Sequence, residues 1–582
     1  MHKSSVVYKL CLIYTEILMY NIKILNVAEK TIMIKKDMTS RPDLAKSAMG
    51  TGAMRTQKPI YVDLLPPCNN ACPAGEDIQG WLDLVQNKQY KEAWVLLTEN
   101  NPLPGVHGRV CYHPCEVDCN RAHTDKTINI HAVERFLGDM AVKNNWKYEY
   151  PETQNGKKVL VIGAGPSGLS AAFHLTRLGH KVEIYEAAAV AGGMIHFGIP
   201  AYRMPRDELA QEIQQIENMG VTITLNKKVE NVSLEKEKGS FDAVFIAIGA
   251  HISKQIDIPG KDDDGVRVMD AISFLKKSQE NKSNFKIGKK VGIYGAGNTA
   301  MDVARVAKRI GADKSYIIYR RDRDSMPAHD FEADEAAEES VEFKWFSTIV
   351  EVNENQIVLD KMKIDKNKQL ISTGEKENLP LDLLVLAIGQ DSESSFLQNA
   401  QGVELNQNGT VKINQNMMTG ADGIFAGGDM VSSDRSVTIA TGHGKKAARY
   451  INAYLRNEPY IPQEKNPIVS HQKLHLWFKT YAPQQEQDAL KPEKRLEDFS
   501  EILQGLDEED VLFEARRCLS CGNCFECDGC YAACPEDAII KLGKGKRYKY
   551  IYERCTGCAV CYEQCPCHAI EMITDNNTQE IS

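Results

Sequence analysis

Eight cysteines near the C-terminal end are spaced for iron–sulfur chemistry. Cys524, Cys527, Cys530 and Cys534 read C-x2-C-x2-C-x3-C, with Pro535 following, and Cys555, Cys558, Cys561 and Cys565, followed by Pro566, repeat the run. Two such runs bind two [4Fe–4S] clusters with crossed ligands, because the fourth cysteine of each run serves the cluster of the other. The spacing therefore assigns Cys524, Cys527, Cys530 and Cys565 to one cluster and Cys555, Cys558, Cys561 and Cys534 to a second. Zinc is the competing reading, but zinc sites rarely need two interlocked sets of four thiolates.

The chain holds 17 cysteines among 582 residues, and they lie in islands. Cys68, Cys72, Cys111, Cys115 and Cys119 form an N-terminal group, and Cys518, Cys521 and Cys567 accompany the C-terminal runs, Cys567 as a bystander; Cys11 stands alone. Dense islands in a long chain point to metal ligation in a reducing, cytoplasmic setting rather than to a disulfide scaffold. A net charge of −9 argues against a nucleic-acid partner. The apolar stretch from Val6 to Val27 is interrupted by Lys9, Glu16 and Lys23, so no membrane span is expected, and it lacks a secretory cleavage site. Residues 1–55 are left as an unassigned extension.

Two further constellations bind dinucleotides. In KKVLVIGAGPSGLSAAFHLTRLGHKVEIYE, a β-rich run enters a turn holding Gly163, Gly165, Pro166, Ser167 and Gly168, a helical segment follows, and a second β-rich run ends on Glu186. The first glycine permits the tight turn, the second lets backbone approach a pyrophosphate, and the third allows close helix–strand packing. The terminal acid suits a ribose hydroxyl. The second site, VGIYGAGNTAMDVARVAKRIGADKSYIIYRR, carries Gly295, Gly297, Asn298, Thr299 and Ala300 in its turn, but Arg320 and Arg321 end its second strand. Arginine there pairs with a 2′-phosphate, which favours NADP(H), although a solvated strand end explains the pair too.

Two near-copies of a buried strand ending in glycine, FDAVFIAIG and DLLVLAIG (to Gly389), and the segment GIFAGGD, containing Gly428 and Asp429, complete a pattern that resembles the two-dinucleotide-binding flavoprotein reductases. The resemblance implies an FAD domain interrupted by an NADP domain. It also implies that Asp429 contacts the ribityl chain, that Gly192, Gly193, Met194 and Arg203 flank the flavin, and that Thr438 belongs to the same site. Hydride transfer between the cofactors needs alignment rather than a catalytic acid or base, so no catalytic residue is assigned. No cysteine pair accompanies the flavin motifs, which disfavours a disulfide reductase.

From about residue 56 to 465 the chain also resembles the small subunit of NADPH-dependent glutamate synthase and the N-terminal part of dihydropyrimidine dehydrogenase. IPAYRMP, GAGNTAMDVAR and YRRDRDSMPA are specific pieces of the match. These relatives imply two [4Fe–4S] clusters in an N-terminal helical region whose pattern begins with E-A-x-R-C-L-x-C. Residues 56–67 contain no cysteine, yet the phrase occurs as Glu514-Ala515-Arg516-Arg517-Cys518-Leu519-Ser520-Cys521. The expectation is that this segment folds back, in one chain or across a homodimer. One cluster would then take Cys68, Cys119, Cys518 and Cys521, and the other Cys72, Cys111 and Cys115 with Glu134 as fourth ligand. An ordinary surface salt bridge also fits Glu134. Four clusters per chain follow.

The elements that position these residues make an α/β chain. A helical cluster domain (56–150) precedes an FAD-binding domain (151–285 and 391–465) with an NAD(P)-binding domain inserted (286–390). A polar connector (466–517) leads to an α+β bacterial ferredoxin-like domain (518–582). The leading reading is an oxidoreductase of the glutamate-synthase small-subunit type, passing electrons from NADPH through FAD to the clusters and on to a protein partner. An NADPH:ferredoxin oxidoreductase or a subunit of a 2-oxoacid:ferredoxin oxidoreductase is the alternative. A glutamate synthase large subunit, a free ferredoxin and a 2-oxoacid:ferredoxin oxidoreductase all fit as partner, since the chain has no room for an amidotransferase and a synthase barrel. A scaffold without catalysis would show damaged dinucleotide loops, and both loops are intact.

Overall fold

The computed structural model describes residues 55–151, 156–260, 266–280, 285–397, 400–477 and 479–575, so Cys11 and the stretch from Val6 to Val27 lie outside the described residues. The described chain divides into two compact units, a larger one of 61–527 with 565–569 and a smaller one of 55–60, 528–564 and 570–575.

The larger unit is built on two parallel five-stranded sheets. One runs in the order Ile424–Ala426, Ala243–Ile246, Lys158–Ile162, Lys181–Tyr185, Thr222–Thr224. The other runs Glu342–Lys344, Lys314–Ile318, Lys290–Tyr294, Leu383–Leu386, Arg267–Asp270. The chain leaves the first sheet after Ala243–Ile246, completes the second, and returns at Ile424–Ala426. The sequence reason is plain: VLVI (after Lys158), AVFI and LLVL are unbroken apolar runs, which only strands covered on both faces can bury. Helix Pro166–Arg177, with proline at its start, follows the first strand and packs closely against Val437–Arg456. A three-stranded antiparallel sheet (Ser347–Val352, Gln356–Ile364, Leu370–Pro380) shares a core with the second sheet through Ile349, Leu359, Ile318 and Leu384.

The N-terminal part of this unit is helical. Asp77 caps Ile78–Gln86 by accepting from Gly80 N, and Trp81, Leu82, Leu97, Val133 and Leu137 form the buried core with Tyr90–Thr98 and Ile130–Lys143. Val511 and Ala515 of helix Glu508–Arg517 enter the same core. That helix carries acids in its first turn and Arg516 and Arg517 in its last, complementing its dipole. The polar run 466–517 thus lies along the helical region, where Leu65 N donates to Pro467 O (2.9 Å) and Arg135 Nη1 to Leu503 O (2.9 Å), and touches the dinucleotide domains, where Ile502 N donates to Tyr202 O (3.0 Å).

The smaller unit holds two short helices, Gly529–Ala533 and Val560–Glu563, and the antiparallel hairpin of Ile539–Lys541 with Tyr548–Tyr550. A further strand pair joins Gln57–Tyr61 to Ile570–Thr574. Arg55 ion-pairs with the buried Asp575 beside that pair. Among the described residues, no helix is long and apolar enough to cross a membrane.

Candidate redox centre

The phrase EARRCLSC owes its form to anchoring. Glu514 is fully buried and accepts from Asn129 N (2.8 Å) and Gln485 N (2.6 Å). Arg517, also buried, donates to Glu514 (2.8 Å), Asp125 (3.1 Å) and the carbonyls of Thr127 and Lys126. Ala515 and Leu519 are buried, while Arg516, the free position of the pattern, is exposed. These contacts deliver Cys518 and Cys521 to one pocket with Cys68 and Cys119. Burial pushes the Cys68 thiol well up, and the neighbouring charges of Cys119, Cys518 and Cys521 push it further. Burial likewise raises Cys518 to about 11 and Cys521 to about 12. Thiolates crowded out of water repel one another, and a multinuclear cation held among them removes that cost. The donor set therefore fits a [4Fe–4S] cluster. Ser520 N (3.4 Å) and Asn120 Nδ2 (3.5 Å) donate to Cys518 Sγ and Cys521 Sγ, the kind of contact that tunes such a cluster's potential.

Cys72, Cys111 and Cys115 line a second pocket with Glu134. Glu134 is not a surface ion-pair residue. It is buried, burial first and then Glu76 hold its carboxyl well above the usual range, and the base facing it, His107 at 4.0 Å, is kept neutral by burial (about 3). Asn101 Nδ2 donates to both Glu134 Oε1 (2.7 Å) and Glu76 Oε1 (3.0 Å). A carboxylate so placed among three thiols fits a fourth ligand position. His113 N donates to Cys111 Sγ (3.3 Å) and Thr438 Oγ1 donates to it at 3.0 Å. Thr438, assigned by resemblance to the flavin, thus also lines the cysteine pocket.

In the smaller unit, Cys534, Cys555, Cys558 and Cys561 surround one pocket with Ile539 and Tyr550, and Gly557 N (3.4 Å) and Ala538 N (3.3 Å) donate to Cys555 Sγ and Cys534 Sγ. Of the remaining set, Cys530 belongs to the smaller unit and Cys524, Cys527 and Cys565 to the larger. Within the larger unit Cys567 lies beside Cys565, their sulfurs 3.7 Å apart, and its hydrogen bond draws the Cys565 thiol down to about 7. Cys567 also feels the charges of Cys524 and Cys527, a proximity the bystander reading did not include.

The first dinucleotide loop converges with the segments expected around a flavin. Gly163 adopts φ +104°, and a Cβ there would lie 2.5 Å from Ala247 O. A Cβ on Gly193 would meet Gly165 Cα at 2.8 Å, and one on Gly428 would meet Ser167 Cβ at 3.0 Å. The GGM and GGD loops therefore press on the phosphate-binding turn. Pro166, Ser167 and Gly168 begin the helix and Met194 begins the next. Glu186 accepts from Ala164 N and Ala188 N, both at 2.8 Å, which fixes the loop at the strand end. Burial raises the Asp429 carboxyl. Arg203 goes elsewhere: its guanidinium contacts Asp302 (3.0 Å) and Glu332 (2.7 Å) of the inserted domain.

At the second loop, Gly295 takes φ +132° against Ala387 O, and Asn298, Thr299 and Ala300 open helix Asn298–Arg309 after Gly297. Asn298 Nδ2 donates to Tyr112 Oη (2.6 Å) and its Oδ1 accepts from His329 N (3.1 Å), while the Tyr112 and His329 rings stack at 3.9 Å. Tyr112, adjacent to Cys111, joins the cysteine pocket's loop to the nucleotide loop, and no spacing signal marks it in the sequence. Arg320 and Arg321 are both exposed just past the end of Lys314–Ile318, and Gly389 turns the chain after Leu383–Leu386 with φ +107°.

Residues 157–444 match the family model of the pyridine nucleotide-disulphide oxidoreductases, and residues 63–146 match that of the 4Fe-4S cluster domain described as dihydropyrimidine dehydrogenase domain II. The chain is similar to the NADP(+)-dependent formate dehydrogenase subunit beta of Moorella thermoacetica, 34% identical over 530 residues, which is 82% of this chain and 73% of the relative. It is 32% identical over 514 residues to the NADPH-Fe(3+) oxidoreductase subunit beta of Geobacter sulfurreducens, covering 78% of this chain and 75% of that one. The small chain of NADPH glutamate synthase of Escherichia coli is 31% identical over 420 residues, 67% of this chain and 89% of its own.

Proposed function

Because the chain belongs to the pyridine nucleotide-disulphide oxidoreductase family, with a 4Fe-4S domain ahead of the matching region, we propose that it is the NADPH-side subunit of a larger redox enzyme. It is an NAD(P)H-dependent flavin and iron–sulfur oxidoreductase of the electron-transfer type. When bound, the flavin accepts a hydride and parts with its electrons singly, and the clusters carry single electrons. The contact of Thr438 Oγ1 with Cys111 Sγ (3.0 Å) carries the relay reading, because it joins the helix after the GGD loop to a cysteine pocket. The residues' part is to align and to insulate. The convergent glycine loops leave backbone rather than side chains against the flavin phosphates, Asn298 and the arginines at 320 and 321 hold the NADPH end, and Trp81, Leu97 and Leu137 keep water from the helical core beside the pockets.

Four clusters per chain, with the ligand sets given above, complete the proposal. The alignments with the two beta subunits run over 530 and 514 residues, against 420 for the glutamate synthase small chain, which favours a partner of the kind such beta subunits serve over a glutamate synthase large subunit. Anaerobic addition of NADPH to the purified chain should bleach the flavin and then the iron–sulfur absorbance, and flavin left unbleached would overturn the reading. Supplying glutamine with 2-oxoglutarate and a glutamate synthase large subunit, a ferredoxin, or a 2-oxoacid oxidoreductase then separates the acceptors.

A further inference from the structure

Residues 541–549 carry five cations (Lys541, Lys544, Lys546, Arg547, Lys549) and no acid, in a chain of net charge −9. They form the distal half of the hairpin of Ile539–Lys541 with Tyr548–Tyr550. Lys544, Lys546 and Lys549 are exposed, and the turn glycines Gly543 and Gly545, at positive φ, face open space. Lys541 is held by Asp528 (2.6 Å) and lies 4.7 Å from the Tyr531 ring centroid. Tyr531, Ile540 and Leu542 are themselves exposed, so an apolar strip accompanies the cations. The base of the hairpin lines the pocket of Cys534, Cys555, Cys558 and Cys561 through Ile539 and Tyr550, and Cys558 is exposed.

We propose that this hairpin is the docking surface for an acidic electron-carrier protein. A positive tip above an apolar strip steers and then seats a partner whose own redox group is rimmed by carboxylates. The hairpin's base on the cysteine pocket keeps the seated partner close to the exposed thiolate edge. Each encounter passes one electron between the two proteins, one oxidised as the other is reduced, and needs no further reactant. Nucleic acid is disfavoured, because phosphate backbones are bound by extended basic faces and this patch is small on an acidic chain. The inference rests on the electron-transfer function proposed above and gives its partner a chemistry and a place.

The test uses the full holoprotein and the Lys544→Glu/Lys546→Glu variant, with a purified acidic two-[4Fe–4S] ferredoxin as probe. Affinity is measured with both proteins oxidised and without NADPH, across salt concentration, and NADPH-driven reduction of a small viologen dye and iron content are measured alongside. The variant should bind the ferredoxin at least about tenfold more weakly at low salt and lose most of the salt dependence. Dye reduction and iron should not change. Equal affinity and an equal salt slope would overturn the proposal. So would unchanged ferredoxin binding with loss of binding to duplex DNA or to anionic vesicles. Intact ferredoxin binding without dye reduction in the native protein would instead count against the electron-transfer function.

Discussion

Replacing Cys518 and Cys521 by serine removes two of the four thiols lining the pocket with Cys68 and Cys119, and none of those beside Cys72, Cys111 and Cys115. With four irons to a cluster, the native chain should carry about sixteen irons and the variant about twelve, with iron–sulfur absorbance down by roughly a quarter. The remaining fold should survive, because Arg517 and Glu514 keep helix Glu508–Arg517 seated on Asp125, Asn129 and Gln485 without either cysteine. Iron counting after anaerobic reconstitution gives the number, and a double-mutant cycle gives its meaning. Cys68→Ser alone, Cys518→Ser alone and the two together should each cost the same four irons or so, since ligands of one cluster fail as a unit. Losses that add to about eight would place the two cysteines on different clusters, and an unchanged count would refute the fold-back altogether.

Tyr112→Phe deletes the hydrogen bond from Asn298, worth about 0.5–1.5 kcal/mol; the KM for NADPH should rise roughly 2–10-fold while iron content and dithionite-driven electron output stay level. Changing Arg320 and Arg321 to aspartate removes charge-assisted bonds of about 1.5–3 kcal/mol, so kcat/KM should fall roughly 10–100-fold with NADPH and far less with NADH. Glu212 accepts from Gly105 N (2.7 Å) and Val106 N (2.9 Å), yet burial raises its carboxyl to about 8. The folded protein therefore holds a proton that the unfolded chain releases above its ordinary carboxyl pKa. This stability is full at acid pH and is lost as pH rises through about 8, by up to about 1.4 kcal/mol per pH unit; Glu212→Gln should flatten that decline in a pH series of melting temperatures. Gly168→Ala would drive a methyl onto Gly163 O (1.9 Å), and purified variant should lack FAD while keeping iron.

Local signals made the α/β character legible. Each dinucleotide loop lies between a strand and a helix that are contiguous in the chain, so glycine spacing and apolar runs report it directly. Cys518 and Cys521 are legible only through the resemblance of the phrase E-A-x-R-C-L-x-C, whose Glu514 and Arg517 are buried and paired in the structure. Glu134 could be named from resemblance, but its burial beside Glu76 and Asn101 could not, since nothing in the sequence of one helix tells which neighbour covers it. Tyr112 and the second contact of Thr438 were invisible too. Their partners, Asn298 and Cys111, lie 186 and 327 positions away, and a single polar residue leaves no periodic trace. Ahead of helix Glu508–Arg517, the run from 466 is polar because much of it is held through main-chain bonds, with buried apolar residues such as Val469, Ile502 and Leu506 set far apart.

The pocket of Cys68, Cys119, Cys518 and Cys521 also sets a timetable. Cys518 lies 450 positions after Cys68, so at roughly 5–20 residues per second the last two thiols leave the ribosome about 20–90 s after the first. Cys72, Cys111, Cys115 and Glu134 of the neighbouring pocket are all synthesised by residue 134, and Thr438, which lines it with them, also precedes Cys518. A chain that stops just short of Cys518 would contain the dinucleotide domains but lack two of the four thiols that line the Cys68 pocket. Completion of that pocket therefore reports that synthesis has passed the dinucleotide domains and reached the C-terminal cysteine runs.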